Sequence, residues 1–180
     1  AEQLEAAITK ETTLCSIIYA QNEFGTIQNI PELGKICQEK NVLFHTDACQ
    51  AAASLDLDKE KLNADFISIN GSKIYGPKGV GAFFVNSRLL SNKQIEAQIF
   101  GGKQEQGLRP GTQNIPAIIG LAKALEIGQK TKEEENNSLT KLRDHLIEGL
   151  LKKLPQSQIN GYYSPNDHQK RLANNISITI

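Results

Sequence analysis

Polar side chains that can do chemistry follow three apolar runs of this sequence. Asn22 comes after the first run, Asp47 closes the second and is followed by Gln50, and Lys73 comes after the third. In open α/β sheets, ligands bind beyond the carboxyl ends of the strands. A carboxylate at a buried strand end needs a cationic or hydrogen-bonding partner, and a desolvated lysine attacks carbonyl groups. These four residues are therefore the candidates for a functional site.

An aspartate, a lysine and small polar groups together match the needs of a pyridoxal phosphate site. Such a site uses an Asp opposite the pyridinium nitrogen, a Lys that forms a Schiff base, and small hydroxyl or amide groups round the phosphate. Each residue also has an interpretation without a cofactor. Asp47 can cap the segment that follows it, Lys73 can be a solvated loop lysine, and Asn22 and Gln50 can be plain loop residues.

Other reactive side chains have simpler structural interpretations. His45 lies two residues before Asp47, on the same face of a strand, where a hydrogen-bonded structural histidine is the more common role. Cys15, Cys37 and Cys49 show no CxxC pairing and no zinc-like spacing with histidine. We therefore expect three free thiols and no metal site.

Short strands that alternate with helices must position these residues. The apolar runs at residues 14–20, 42–46 and 64–69 predict strands buried in a parallel sheet. Their alternation with helical stretches predicts an α/β fold whose mainly parallel sheet is flanked by helices. "VGAFFV" predicts a further strand that follows through a glycine-rich loop alone, so it can be antiparallel and the sheet mixed.

In the second half of the chain, apolar residues recur mainly at the spacing of a helix. That spacing predicts one helix over residues 114–132 and a second helix from Ser138, joined by the charged surface segment "KTKEEENN". "NNISITI" alternates like a strand with one solvated face. We place a domain boundary near residue 132, so that 1–132 is part of a large domain and 133–180 begins a smaller α+β C-terminal domain.

Composition argues against several classes of protein. The 180 residues carry 20 Lys and Arg against 20 Asp and Glu, and the absence of a basic stripe argues against a nucleic-acid partner. No apolar run approaches the roughly 20 residues of a membrane span, and the polar, acidic N-terminal residues do not resemble a signal peptide. We therefore expect a cytoplasmic protein that does not bind a membrane.

Four motifs carry a resemblance to a known family. They are "QNEFGTIQNI", "LFHTDACQA", "NGSKIYGPKGVGAFFV" and "GGKQEQGLRPGTQNIPAIIGLAKALE". In this order they resemble the central part of the cysteine desulfurases of the class V aminotransferase family, which are pyridoxal-phosphate enzymes of fold type I. The likeness runs from about residue 14 to residue 130 and continues more weakly through "RLANNISITI". It implies the large domain of a pyridoxal-phosphate-dependent transferase.

The resemblance implies a role for each residue at the strand ends. Asn22 and Gln50 would contact the phenolic oxygen of the cofactor, Asp47 would pair with its pyridinium nitrogen, and Lys73 would be the Schiff-base lysine. A carboxylate at that nitrogen keeps it protonated and strengthens the ring as an electron sink. Lys78 would then be a loop residue beside glycines.

Further cofactor contacts follow from the same resemblance. Asn70 and Ser72 stand where the family has Ser and His near the phosphate, and both can still donate hydrogen bonds. Thr112 matches a threonine that reaches the phosphate of the neighbouring subunit's cofactor, which implies a homodimer. Gln106 replaces an arginine that is usual in the family.

The implied activity is desulfuration of L-cysteine. L-Cysteine becomes L-alanine, and the sulfur passes as a persulfide to an enzyme cysteine, for an acceptor protein in iron–sulfur cluster or thio-cofactor synthesis. In the family this cysteine and a substrate-carboxylate arginine lie beyond the strand resembling "NNISITI", so we interpret the chain as an internal fragment that is inactive alone. Alternatives are a selenocysteine lyase or other class V aminotransferase, and a catalytically silent subunit that binds partners.

Overall fold

A four-stranded mixed sheet forms the centre of the computed structural model, which describes residues 1–165 and 167–180. Its strands, in spatial order, are β1 (Leu14–Ile18), β2 (Leu43–Asp47), β3 (Phe66–Asn70) and β4 (Gly81–Val85). The first three are parallel, and β4 runs antiparallel to β3. The predicted α/β fold with a mainly parallel, mixed sheet is confirmed.

Four short helices accompany the sheet. They are α1 (Glu2–Ala7), α2 (Ile30–Glu39), α3 (Lys59–Leu62) and α4 (Ser87–Ser91). Of these, α1 precedes β1, α2 and α3 connect the three parallel strands, and α4 follows β4. Leu33 and Cys37 of α2 belong to one buried core with Phe44 of β2 and Leu62 of α3. α2 lies so close to the end of α3 that a Cβ atom on Gly34 would stand 2.4 Å from the carbonyl oxygen of Leu62. The core thus lies between α2, α3 and one face of the sheet.

A single long helix, α5 (Ile115–Lys153), occupies the second half of the chain. The prediction of two helices joined by a surface segment is wrong, because "KTKEEENN" is helical throughout. Lys and Glu are good helix formers, and this segment contains neither Gly nor Pro. The helix passes through residue 132, and the domain boundary placed there stays a prediction.

Two side-chain amides of α5 anchor the middle of that helix. Gln129 Nε2 donates to the carbonyl oxygens of Ala52 (2.8 Å) and Leu55 (2.7 Å). Asn136 Nδ2 donates to the carbonyl oxygen of Ser54 at 2.7 Å. The segment that the sequence suggested as a surface joint is therefore tied to the turns that follow β2.

The C-terminal residues form a small second sheet. β5 (Gln158–Ile159) pairs antiparallel with β6 (Ile178–Thr179). The run "NNISITI" thus contains a strand, as predicted, but only two of its residues are in it. The preceding residues bind the loop after β1 instead.

No helix within residues 1–165 and 167–180 combines the length and the apolar character needed to cross a membrane. All three cysteines are free thiols.

Candidate functional site

Polar residues lie at the carboxyl edge of β1, β2 and β3. We call them the strand-end site: Asn22, Asp47, Gln50, Asn70, Ser72 and Lys73. Asp47 is the last residue of β2, and its register partners are Ile18 of β1 and Ser68 of β3. Asn22 lies four residues beyond Ile18. Beyond β3, residues Gly71–Lys73 form a 3₁₀ turn that ends at the candidate lysine. The fold therefore brings the three strand-end positions to one edge, as the sequence predicted.

Asp47 uses one carboxylate oxygen to hold the turn after β2. Its Oδ1 accepts a hydrogen bond from the backbone N–H of Cys49 at 2.9 Å, which is the capping role that the sequence left open. Its Oδ2 makes no hydrogen bond to nitrogen or oxygen within the described residues. Asp47 is half-buried, and its carboxylate also accepts from the Cys49 thiol. The carboxylate thus has no cationic partner among the described residues and can pair with a cationic ligand group at the sheet edge.

Asp47 and Lys73 both lie within electrostatic range of the Cys49 thiol. Burial first, and then the hydrogen bond and charge of Asp47, raise the pKa of Cys49 to about 12, and the Lys73 ammonium opposes them. Both side chains therefore act on one thiol, and this thiol stays protonated at neutral pH. Lys78, which lies in the same loop as Lys73, does not contribute to this pKa.

Lys73 has a free amine. Its side chain is exposed, and within residues 1–165 and 167–180 it forms neither a salt bridge nor a hydrogen bond. The loop around it is tight, because the Gly71 N–H donates to the Val80 carbonyl (2.9 Å) and the Gly76 N–H to the Gly71 carbonyl (2.8 Å). A Cβ atom on Gly71 would stand 2.7 Å from the Pro77 carbonyl oxygen. A compact loop thus presents the lysine at the sheet edge.

Asn70 and Ser72 bond to each other. Asn70 Oδ1 accepts from the backbone N–H of Ser72 at 2.9 Å and from its hydroxyl at 2.8 Å, and so caps the 3₁₀ turn. The amide N–H groups of Asn70 remain available as donors. The hydroxyl hydrogen of Ser72 is already engaged, so Ser72 could donate to a phosphate only after this bond breaks.

The remaining predicted contacts are loop side chains. Gln50 is half-buried, whereas Asn22 and Thr112 are exposed. Their side chains make no hydrogen bond in the part of the chain that the structure describes. Thr112 lies in the loop before α5 and is not joined to the other site residues. Gln106 lies in a 3₁₀ turn with a positive φ of 59°.

His45 links three strands on the same face as Asp47. Its Nδ1 is 2.7 Å from Ser16 Oγ of β1, and its Nε2 is 2.9 Å from Ser68 Oγ of β3. Burial lowers the pKa of His45, although the Asp47 charge opposes this. Both ring nitrogens are hydrogen-bonded, which agrees with the structural interpretation. The serine partners went unnoticed in the sequence, where strand alternation alone could not give their register.

Comparisons with known proteins identify the family. The family profile described as "Aminotransferase class-V" matches residues 1–180. The chain belongs to the class V aminotransferases. It is 43% identical over 179 residues to a cysteine desulfurase, IscS, of Clostridium botulinum, an alignment that covers 99% of this chain and 43% of that protein. The chain thus spans less than half the length of this class V relative.

Solved structures of similar proteins agree with the fold. A NifS-like protein superposes with a TM-score of 0.83 at 36% identity, over 98% of this chain and 46% of its own. A structure described as "SspA in complex with cysteine" matches with a TM-score of 0.65 at 44% identity, over 69% of this chain and 35% of its own. The architecture is that of the pyridoxal-phosphate-dependent transferases, to which the class V aminotransferases belong.

The polar groups at the strand-end site fit pyridoxal phosphate. The cofactor presents an aldehyde, a basic ring nitrogen, a phenolic oxygen and a phosphate. The site offers a free amine on Lys73, a carboxylate oxygen on Asp47 without a nitrogen or oxygen partner, and unbonded amides on Asn22 and Gln50. The aldehyde, the ring nitrogen and the phenolic oxygen of the cofactor therefore each have a side chain of matching chemistry at this edge.

Proposed function

We propose that this chain is part of a cysteine desulfurase that uses pyridoxal phosphate to convert L-cysteine to L-alanine. The observation that carries the proposal is the 43% identity to a cysteine desulfurase along 99% of the chain. The unbonded polar groups at the strand-end site support it, because they fit the cofactor. The similar SspA structure is a complex with cysteine, which supports the choice of substrate.

Each site residue has a definite task in this proposal. Lys73 would hold the cofactor through its amine and would move the proton at the substrate Cα atom. Asp47 keeps the ring nitrogen protonated through its second carboxylate oxygen, and Asn22 and Gln50 donate to the phenolic oxygen. When bound, pyridoxal phosphate supplies an aldehyde for the substrate amine and a ring that delocalises negative charge from Cα.

The phosphate contacts in this proposal come from two subunits. Asn70 donates from its free amide N–H groups, and Ser72 donates after its bond to Asn70 Oδ1 is exchanged for one to phosphate. Thr112 reaches the cofactor of the neighbouring subunit, so that the full-length enzyme is a homodimer. The exposed position of Thr112 supports a contact outside its own subunit.

The sulfur acceptor in this proposal is none of the three cysteines of this sequence. Cys15 is the second residue of β1, at the end of that strand opposite to the strand-end site. Cys37 is fully buried, and Cys49 has a pKa of about 12, so neither forms a thiolate readily. The persulfide therefore forms on another cysteine of the full-length protein and passes to an acceptor protein in the cytoplasm. Residues 1–132 contribute to its cofactor-binding domain, and residues 133–180 begin its smaller domain.

The covalent attachment of the cofactor is the direct test. The full-length protein is loaded with pyridoxal phosphate, reduced with borohydride and digested, and the modified lysine is located by mass spectrometry. We expect the label on Lys73, its loss in Lys73→Ala and its retention in the matched Lys78→Ala variant. A label on Lys78 would sink the lysine assignment, and alanine release from L-cysteine tests the substrate.

The bond between Ser72 and Asn70 favours a second candidate function. Because these residues satisfy each other where the family has phosphate donors, the chain could belong to a catalytically silent subunit that keeps the fold for partner binding. A full-length protein that takes up no cofactor even at millimolar concentration would support this second candidate. Labelled protein that releases no alanine from L-cysteine would instead favour another class V aminotransferase.

A further inference from the structure

The segment around residues 170–175 lies against the loop that carries Asn22. The Ile27 N–H donates to the Lys170 carbonyl at 3.0 Å, and the Leu172 N–H donates to the Gly25 carbonyl at 2.8 Å. Thr26 and Arg171 form an isolated antiparallel bridge between the two segments. Residues almost 150 positions apart in sequence therefore share backbone hydrogen bonds beside the strand-end site.

Arg171 is a buried guanidinium held by uncharged oxygens. It is 2% exposed, and its Nη1 donates to the carbonyls of Asn160 (2.8 Å) and Tyr162 (3.1 Å). Its Nε donates to the Asn175 carbonyl at 3.1 Å, and its Nη2 donates to Asn175 Oδ1 at 2.7 Å. Within the described residues it has no carboxylate partner. The guanidinium therefore fixes the backbone and the side chain of Asn175 together.

The contact with Arg171 determines which way the amide of Asn175 points. A guanidinium only donates, so the oxygen of the Asn175 amide must face it and the NH₂ group must face away. That NH₂ group donates to the Asn22 carbonyl at 2.5 Å and approaches the Glu23 carbonyl at 3.4 Å. Asn175 is 8% exposed, so water does not replace these bonds easily.

The loop is shaped to accept this side chain. Gly25 has a φ of +75°, and a Cβ atom there would stand 2.4 Å from Asn175 Oδ1. The Gly25 N–H closes the turn by donating to the Gln21 carbonyl at 2.8 Å. The turn therefore presents the carbonyl of Asn22 to Asn175 while the side chain of Asn22 stays exposed at the strand-end site.

We propose that Asn175, oriented by Arg171, is a positioning residue that fixes the backbone of Asn22 and so aims the Asn22 amide at the cofactor. The cofactor part of this inference rests on the proposed function, whereas the ordering of the loop does not. Asn175 touches neither cofactor nor substrate, and it acts through Asn22. The C-terminal segment would thereby tune the cofactor environment.

The informative variant is Asn175→Asp, because it separates two roles of the side chain. A carboxylate keeps an acceptor for Arg171 but replaces the donor to the Asn22 carbonyl by a second acceptor. We expect the melting temperature to fall less than in Asn175→Ala, which removes both contacts. Asn174→Ala is the matched control, since Asn174 is the exposed neighbour with the same side chain.

Hydrogen exchange of the cofactor-free, full-length protein tests the ordering of the loop. We expect amides of residues 21–26 to exchange at least about fivefold faster in Asn175→Asp, the size of one lost hydrogen bond. In Asn174→Ala they should exchange at the wild-type rate. Unchanged exchange in Asn175→Asp would overturn the inference whether or not the protein binds pyridoxal phosphate.

Pyridoxal phosphate titration of the same variants tests positioning through Asn22. We expect Kd to rise at least about fivefold in Asn175→Asp and to rise no further when Asn175→Asp is added to Asn22→Ala. If the increases in Kd of the two single variants instead multiplied in the double variant, Asn175 would have a merely structural role, which would overturn the inference. A wild-type protein that does not bind the cofactor would overturn the proposed function. Hydrogen exchange would still test whether Asn175 orders the loop of residues 21–26.

Discussion

The strand-end site and the arginine cluster use polar side chains in opposite ways. The arginine cluster comprises Arg143, Asp144, His168, Arg171 and Asn175. Arg143 is 3% exposed and donates to Asp144 Oδ1 at 2.8 Å and to two carbonyl oxygens at 3.1 and 3.2 Å. At the strand-end site, by contrast, the side chains of Asn22, Gln50 and Lys73 make no hydrogen bond within the described residues.

This contrast distinguishes structural polar groups from groups kept for a ligand. Burying a polar group without a partner costs about 1–3 kcal/mol, so the buried arginines must be fully bonded for the fold to form. Exposed groups at a sheet edge carry no such cost, because water satisfies them. Asn70 and Ser72 are intermediate, since they sit at the site yet bond to each other.

The largest expected effect comes from removing a guanidinium in the arginine cluster. Arg171→Met should lower the free energy of unfolding of the cofactor-free, full-length protein by about 2–4 kcal/mol, because several buried oxygens lose their donor. Loss of a desolvated charge offsets part of this cost. Urea denaturation measures the change.

Lys73→Met is the matched variant at the strand-end site. It also replaces a long cation by methionine, and it should change the free energy of unfolding by less than about 0.5 kcal/mol, as for an exposed residue without partners. Equal losses in the free energy of unfolding for Arg171→Met and Lys73→Met would contradict the difference between the arginine cluster and the strand-end site.

The strand-end site was largely predictable from sequence, whereas the arginine cluster was not. Asp47 and Lys73 follow apolar runs, and parallel strands bring their carboxyl ends to one edge, so local pattern and topology suffice to place them. The Asn175 amide bonds the carbonyls of Asn22 and Glu23, which lie more than 150 residues earlier in the sequence, and Arg171 bonds backbone carbonyls of the loop that precedes it. Neither apolar periodicity nor motif spacing encodes which buried carbonyl an arginine will reach.

Helix α5 shows a second limit of local pattern. A charged run is typical of a surface joint and equally of a solvated helix face, because Lys and Glu favour both. The hydrogen bonds of Gln129 and Asn136 to the turns after β2 stabilise the helical conformation of this run. The register of Ser16 with His45 likewise depends on strand pairing, which the alternation of one strand leaves open.

Gly25 joins the strand-end site to the arginine cluster and gives the second prediction. Gly25→Ala should cost about 1–3 kcal/mol more than Gly79→Ala in the free energy of unfolding, the usual cost of overpacking. Both glycines have a positive φ, +75° and +78°, but only at Gly25 would a Cβ atom meet another residue within 4 Å. Equal costs, measured by urea denaturation, would mean that Asn175 yields and that the two regions are less tightly joined.

The smallest expected effect is the contribution of His45 to the pH dependence of the free energy of unfolding. His45 lies beside the strand-end site, but both of its ring nitrogens are hydrogen-bonded, as in a structural residue. Its pKa in the folded protein lies below its ordinary value because of burial, so the unfolded chain binds the proton more readily. Protonation therefore destabilises the fold, and stability falls as pH drops below about 6.5, the ordinary pKa of histidine. Urea denaturation at pH 7.5 and 5.5 should show a smaller loss in His45→Gln than in wild type. Equal losses would mean that His45 charges as easily in the fold as outside it, and that burial does not hold it neutral.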